Sequence, residues 1–233
     1  MIIIHDSRLP SEAIINLQKY GECLSFYTEK ITQNEIAGHP DIFFCPVDEK
    51  IITAPNIPAV YLDFLIKRKV DYVTGKTNVG NRKTNTTPYN AVITEKYVIH
   101  NSRFTDGSIL EETKNKIFID VKQSFTRCSL MPLRGNNFLV SDKGIAMKLH
   151  EYGLNCHYFS PEEIILPGFP YGFIGGCMGA YYNKIFIIGS LKYHSDGAKT
   201  KRLLKRLNYE IVELYDGKLI DSGSLFFLHV AQT

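Results

Sequence analysis

A repeated unit that cannot bury its own apolar face constrains this chain more than any other feature, because the unit has to find copies of itself to pack against. Residues 89–123, YNAVITEKYVIHNSRFTDGSILEETKNKIFIDVKQ, read as strand, strand, helix, strand. Two short β-rich runs, 91–93 and 97–100, flank a turn at 95–96, which is a hairpin pattern. Thr105 or Asp106 offers a side-chain oxygen to cap the helix that follows. Residues 117–121 return as a buried-looking strand. Comparable patterns occupy about 38–75, 128–160 and 172–216, at a spacing of about 40–45 residues that is typical of repeat architectures. The N-terminal stretch 1–37 has only strand, helix, strand, and the tail 221–233 carries one more apolar strand over 224–230. The two ends together complete a fifth unit. The expected fold is therefore an α/β, five-bladed propeller of strand–strand–helix–strand repeats, its last blade closed by both termini. Two separate open sheets would leave the solitary terminal strand unexplained.

Composition excludes several classes. With 44% hydrophobic and 22% charged residues, the chain is globular in character. A formal charge of +3 is too small to argue for nucleic acid or an anionic membrane as partner. The basic cluster Lys199, Lys201, Arg202, Lys205 and Arg206 reads as the wet face of a helix. No apolar run approaches the roughly 20 residues of a membrane span. The opening MIIIHDS lacks a basic leader, and its short apolar run ends at His5 and Asp6. Five cysteines with no paired spacing read as reduced thiols, and a cytoplasmic location is expected. No His pair has ligand spacing, and neither a dinucleotide nor a P-loop fingerprint is present, so no metal and no cofactor are expected.

Five short motifs fall at one phase of the repeat, at or just before a first strand: GHPD (38–41), YNA (89–91), VKQSFTRCS (121–129), FPYGFIGGCMG (169–179) and DSGS (221–224). In a ring of such units the first strands line the axis. The motifs then converge on one axial pocket for a small molecule. The polar stretch 75–87 is either a plain connection or a loop over that pocket.

These motifs resemble an uncharacterised bacterial family classed with the pentein fold of the guanidino-group-modifying enzymes. That group includes arginine deiminases, dimethylarginine hydrolases, amidinotransferases and agmatine deiminases. The resemblance implies a thiolate that attacks the guanidinium carbon, a His that moves protons and carboxylates that hold the cation. It also implies a nucleophilic Cys on the C-terminal strand. Here that strand reads DSGSLFFLHV, with Phe227 or Leu228 at the corresponding place and no cysteine after Cys177. A hydrolase or amidinotransferase reading therefore needs a relocated nucleophile. Cys128 follows Arg127, a cation that could lower its pKa, and Cys177 follows a Gly175–Gly176 turn whose N–H groups could hold an anion. His39 is the expected acid/base, Asp41 the cation anchor, and Asn90, Gly175, Gly176, Asp221, Ser222 and Ser224 the expected substrate contacts. The alternative is a catalytically silent binding protein of the same fold. The sequence carries no indication of oligomeric state.

Overall fold

Ile2–Asp6 (β1) is buried at every position, as a strand covered on both faces must be. It leads into a helix, Ser11–Gln18 (α1), whose Ala13 and Leu17 face inward, and into Glu22–Phe26 (β2), where exposed and buried residues begin to alternate. The computed structural model describes residues 1–229. A second unit runs through a helical turn, Pro40–Phe43 (α2), Phe44–Val47 (β3), Lys50–Thr53 (β4), Ala59–Lys67 (α3) and Tyr72–Thr74 (β5). A third comprises Val92–Ile93 (β6), Tyr97–His100 (β7), Gly107–Glu112 (α4) and Ile117–Asp120 (β8). A fourth comprises another helical turn, Thr126–Ser129 (α5), then Leu130–Leu133 (β9), Asn137–Val140 (β10), Lys143–Glu151 (α6) and Asn155–Tyr158 (β11). A fifth opens with a 3-10 turn, Gly175–Cys177, followed by Met178–Tyr181 (β12), Lys184–Ile187 (β13), Gly197–Arg206 (α7) and Glu210–Glu213 (β14). Phe226–Leu228 (β15) is the last described strand, and Val230, the end of the strand expected there, lies outside the described residues.

Every unit has one pattern. The first strand pairs antiparallel with the second, and the second pairs parallel with the third across the helix. In the split unit β15 takes the first place, pairing Ile3 with Phe227, and β1 runs parallel to β2. The parallel step needs a crossover, which explains why the helix always sits between second and third strands. Asp106 and Asp142 cap α4 and α6 through Ser108 N and Ile145 N. Pro58 precedes α3, where its missing N–H costs nothing. Gly153, at φ +70°, takes the left-handed turn after α6. Among the described residues no helix is long and apolar enough to cross a membrane.

The expected closed propeller is corrected. Among the described residues there are five separate three-stranded sheets; none closes on itself, and no ladder runs from one to the next. Three strands are too few for a sheet to close on itself. Successive first strands instead lie side by side without a ladder, β3 beside β6, β6 beside β9, β9 beside β12 and β12 beside β15. Pro46 in β3 and Pro132 in β9 cannot donate to a ladder, which suits them to sheet edges. The shared sheet of the two chain ends is present, but it is an open sheet like the others.

The approach of β12 to β15 depends on Gly179. A Cβ there would strike the Leu225 carbonyl and lie 2.7 Å from Leu225 Cβ and from the Phe227 ring. Gly179→Ala is expected to cost about 1–3 kcal/mol in urea unfolding, as overpacked sites do. Ile15→Ala, on the exposed side of α1, is expected to stay within about 0.5 kcal/mol of the parent. Equal stability of the two variants would show that the two strands are not held at contact distance.

Candidate functional site

The motif segments meet because their turns hydrogen-bond to one another. Ser222 N and Ser224 N both donate to the Gly176 carbonyl, at 3.1 and 2.9 Å, which docks the C-terminal turn on the Gly-rich turn before β12. Gly223 and Ser224 are both left-handed, at φ +72° and +75°. A Cβ on Gly223 would run into His39, so glycine is required there for space as well as for φ. Asp41 N donates to Gly223 O at 3.1 Å and brings in α2, where Pro40 suits the first helical position.

Asp41 is fully buried. Its Oδ2 accepts from Cys128 Sγ and from Ser224 Oγ, each at 3.0 Å, while its Oδ1 has no partner among the described residues. Asn90 clamps the other side. Its Oδ1 accepts from Arg127 N at 2.8 Å, and its Nδ2 donates to Asp41 O at 3.1 Å and lies 3.4 Å from Cys128 Sγ. The Arg127 guanidinium is buried behind this pair, donating to Gly175 O at 2.9 Å and Met178 O at 3.1 Å, with the Phe226 ring 5.6 Å away. Burial pulls its pKa down, while Asp41 and Asp221 act to keep it charged.

Asp221 accepts from Phe173 N at 2.9 Å and Gly223 N at 3.1 Å. Gly172 and Gly176 make room for it, because a Cβ on either would hit this side chain. Burial raises its pKa to about 6; His39 opposes the shift and Asp41 adds to it. His39, Cys128 and Asp221 together form the buried end of a cavity of about 400 Å³. The His39 ring makes no hydrogen bond among the described residues. Gln33, Asn81 and Thr86 also border the cavity. The stretch 75–87 thus contributes to its wall, tied down by Asp106, which accepts from Lys76 N and Thr77 N, and by Asn56, which bonds Val79.

The thiols are all pushed away from ionisation. Cys128 is raised well above the ordinary range by burial first, then by Asp41 and Asp221, with Asn90 opposing. The expectation that Arg127 would lower it fails physically, since the guanidinium is committed to Gly175 and Met178 while two carboxylates face the sulfur. Cys177 is fully buried, donates to Phe173 O at 3.2 Å, and lies off the cavity wall; burial, then Asp221, raises it. Burial lifts Cys45 to about 12 and Cys23 and Cys156 to about 11.

Of the sequence-derived candidates, the structure assembles His39, Asp41, Asn90, Cys128, Asp221 and Ser224 at one place. Gly175 and Gly176 meet them through their carbonyls, which act as acceptors. Ser222 Oγ is buried without a partner among the described residues. Among those residues no group of three His, Cys, Asp or Glu side chains is placed to hold a metal ion. Sequence reasoning missed the aromatic wall of Phe125, Phe169, Tyr171 and Phe173. Its signal was the density of aromatic residues in a connector that has no strand or helix of its own.

Solved structures show the same fold. DDAH from Pseudomonas aeruginosa, a cysteine-to-serine mutant complexed with citrulline, is 12% identical with TM-score 0.55, covering 95% of this chain and 92% of that one. The amidinotransferase SxtG from Microseira wollei is 9% identical with TM-score 0.56, covering 100% and 95%. A C. jejuni agmatine deiminase, a cysteine-to-serine mutant with substrate bound, is 12% identical with TM-score 0.57, covering 97% and 92%. This chain therefore has the fold of the guanidino-modifying hydrolases and amidinotransferases. No curated protein matches it by sequence. Residues 4–226 match a family of unknown function, DUF6873, across nearly the whole chain, and the chain belongs to that family.

Proposed function

We propose that the chain is a hydrolase or amidinotransferase-like enzyme acting on a small guanidino or amidino compound, with Cys128 as nucleophile. The observation that carries this reading is the 3.0 Å contact between Cys128 Sγ and Asp41 Oδ2 at the closed end of a cavity that also holds Asp221 and His39. Two carboxylates suit a planar cation with several N–H donors. A bound guanidinium would match the negative charge that keeps the thiol protonated. The thiol proton would then pass along the existing hydrogen bond to Asp41. Sulfur attacks the central carbon, the C–S bond forms, and the C=N electron pair moves onto nitrogen. Collapse expels an amine, which takes a proton from His39 or Asp41 and leaves an S-linked amidino group. Water, or an acceptor amine in a transferase, attacks that carbon and returns the thiol. Asn90 and Ser224 act as positioning residues through Cys128 and Asp41.

One observation favours a second reading, a silent binding protein that holds a cation: burial and two carboxylates keep Cys128 protonated, and β15 presents Phe226, Phe227 and Leu228 where the enzymes of this fold are expected to carry their cysteine. Labelling separates the two. The enzyme reading expects chloroacetamidine, a cationic electrophile, to modify Cys128 at least about tenfold faster than iodoacetamide does, since the cation lowers the cost of the thiolate. Slow modification with no preference among the five thiols would retire Cys128 as nucleophile and leave the binding reading.

Asp221 adds a pH dependence. Its folded pKa of about 6 lies above the ordinary carboxylate value, so between roughly pH 4 and pH 6 the folded state binds the extra proton and stability falls as pH rises. A guanidinium ligand is expected to bind more tightly over the same interval and into neutral pH, as the carboxylate ionises. Asp221→Asn is expected to flatten both profiles in thermal unfolding and calorimetric titration. Retention of the full ligand pH dependence in that variant would take Asp221 out of the cation site.

A further inference from the structure

The closed end of the cavity and its mouth differ in chemistry. The closed end is lined by the Asp221 carboxylate, the Cys128 thiol and the His39 imidazole, with the Asp41 carboxylate behind the thiol. The walls are aromatic and aliphatic: Phe125 and Phe173 are half-buried, and Phe169 and Tyr171, each 42% exposed, stand at the mouth, with Tyr171 edge-on to Phe173 at 5.8 Å. The polar groups of the mouth, Gln33 and Asn81, are uncharged amides that make no side-chain hydrogen bond among the described residues. No Lys or Arg lines the cavity among the described residues. Two cations near the cavity, Arg127 and Arg8, are occupied elsewhere. Arg127 is turned to the Gly175 and Met178 carbonyls, and Arg8 is bound to Asp6 and to the Asn34 and Glu35 carbonyls.

A ligand with an α-carboxylate would bring an anion into a cavity lined by Asp221, with the Asp41 carboxylate bonded to Cys128 behind the wall, and with no Lys or Arg among its described lining residues. Desolvating a charge without a partner is costly. An apolar or aromatic tail would instead find ring faces and edges to pack against. On the guanidino reading above, on which this rests, we infer that the substrate is a guanidine or amidine whose tail is uncharged and apolar or aromatic, with no carboxylate. Phe169 and Tyr171 are then specificity-determining residues, and the amides of Gln33 and Asn81 serve neutral hydrogen-bonding groups at the far end of the tail.

The test compares dissociation constants of the intact chain for methylguanidine, L-arginine and phenethylguanidine near pH 7.5, by calorimetric titration. Phenethylguanidine is expected to bind at least about tenfold more tightly than L-arginine, within the range that apolar pockets achieve. Phe169→Ala and Tyr171→Ala change exposed side chains, so the fold is expected to survive. Each should weaken phenethylguanidine severalfold and leave methylguanidine unchanged. If L-arginine binds as tightly as phenethylguanidine, or if neither variant alters the preference, the substrate-class inference is overturned while the cation site stands. If methylguanidine and both larger ligands all fail to bind, the guanidino reading falls, and this inference falls with it.

Discussion

The buried Arg127 guanidinium is the charge on which the rest of the site depends. Two carboxylates, Asp41 and Asp221, lie in the same water-poor region, and Arg127 is the cation that interacts with both. Removing a buried cation would leave carboxylates to desolvate alone, at a cost of several kcal/mol. Arg127 makes no direct ion pair; it donates to main-chain carbonyls and acts on the carboxylates through space. That arrangement fastens the turn before β9 to the turn before β12, and it leaves the carboxylate oxygens available for other donors. The position of Asp41 Oδ1, with no partner among the described residues, follows from the same geometry.

A repeated local device delivers the side chains. In the second, fourth and fifth units the first strand is preceded by one helical turn: α2, α5 and the 3-10 turn at Gly175–Cys177. Such a turn shortens the chain at the strand entry and points consecutive side chains in different directions. Cys128 thus meets Asp41 while its neighbour Arg127 reaches across to the fifth unit. A strand at the same place would alternate its side chains between two faces.

The five repeated units, a cap at Thr105 or Asp106, and the convergence of the GHPD, YNA, RCS, GGC and DSGS segments were legible in the sequence, because each rests on local pattern and on turn residues. The helical turns were not. Residues 41–47 read as one apolar run, and the proline at position 40 that starts α2 fits a strand entry equally well. The open sheets were not legible either, since hydrophobic periodicity reports which face of a strand is buried, and says nothing of whether adjacent strands meet by ladders or by side chains. The protonation of Cys128 was not legible for a related reason. Adjacency to Arg127 in sequence carries no information about direction, and the shift is set by burial first and then by Asp41 and Asp221, 87 and 93 positions away.

A thiol held protonated by burial and by two carboxylates is a poor nucleophile, and that inertness has a consequence for selectivity. At about 4 Å and an effective dielectric constant of about 20, a unit cation interacts with a unit anion by roughly 4 kcal/mol. That is close to three decades in an ionisation equilibrium. A planar cation seated in the cavity against Asp221 and the sulfur can therefore offset much of the burial penalty on the thiolate, whereas a neutral ligand cannot. On the proposed chemistry, charge recognition and activation become one event. The aromatic mouth then discriminates among cations by the tail they carry, because the charged end has already been read at Asp41 and Asp221.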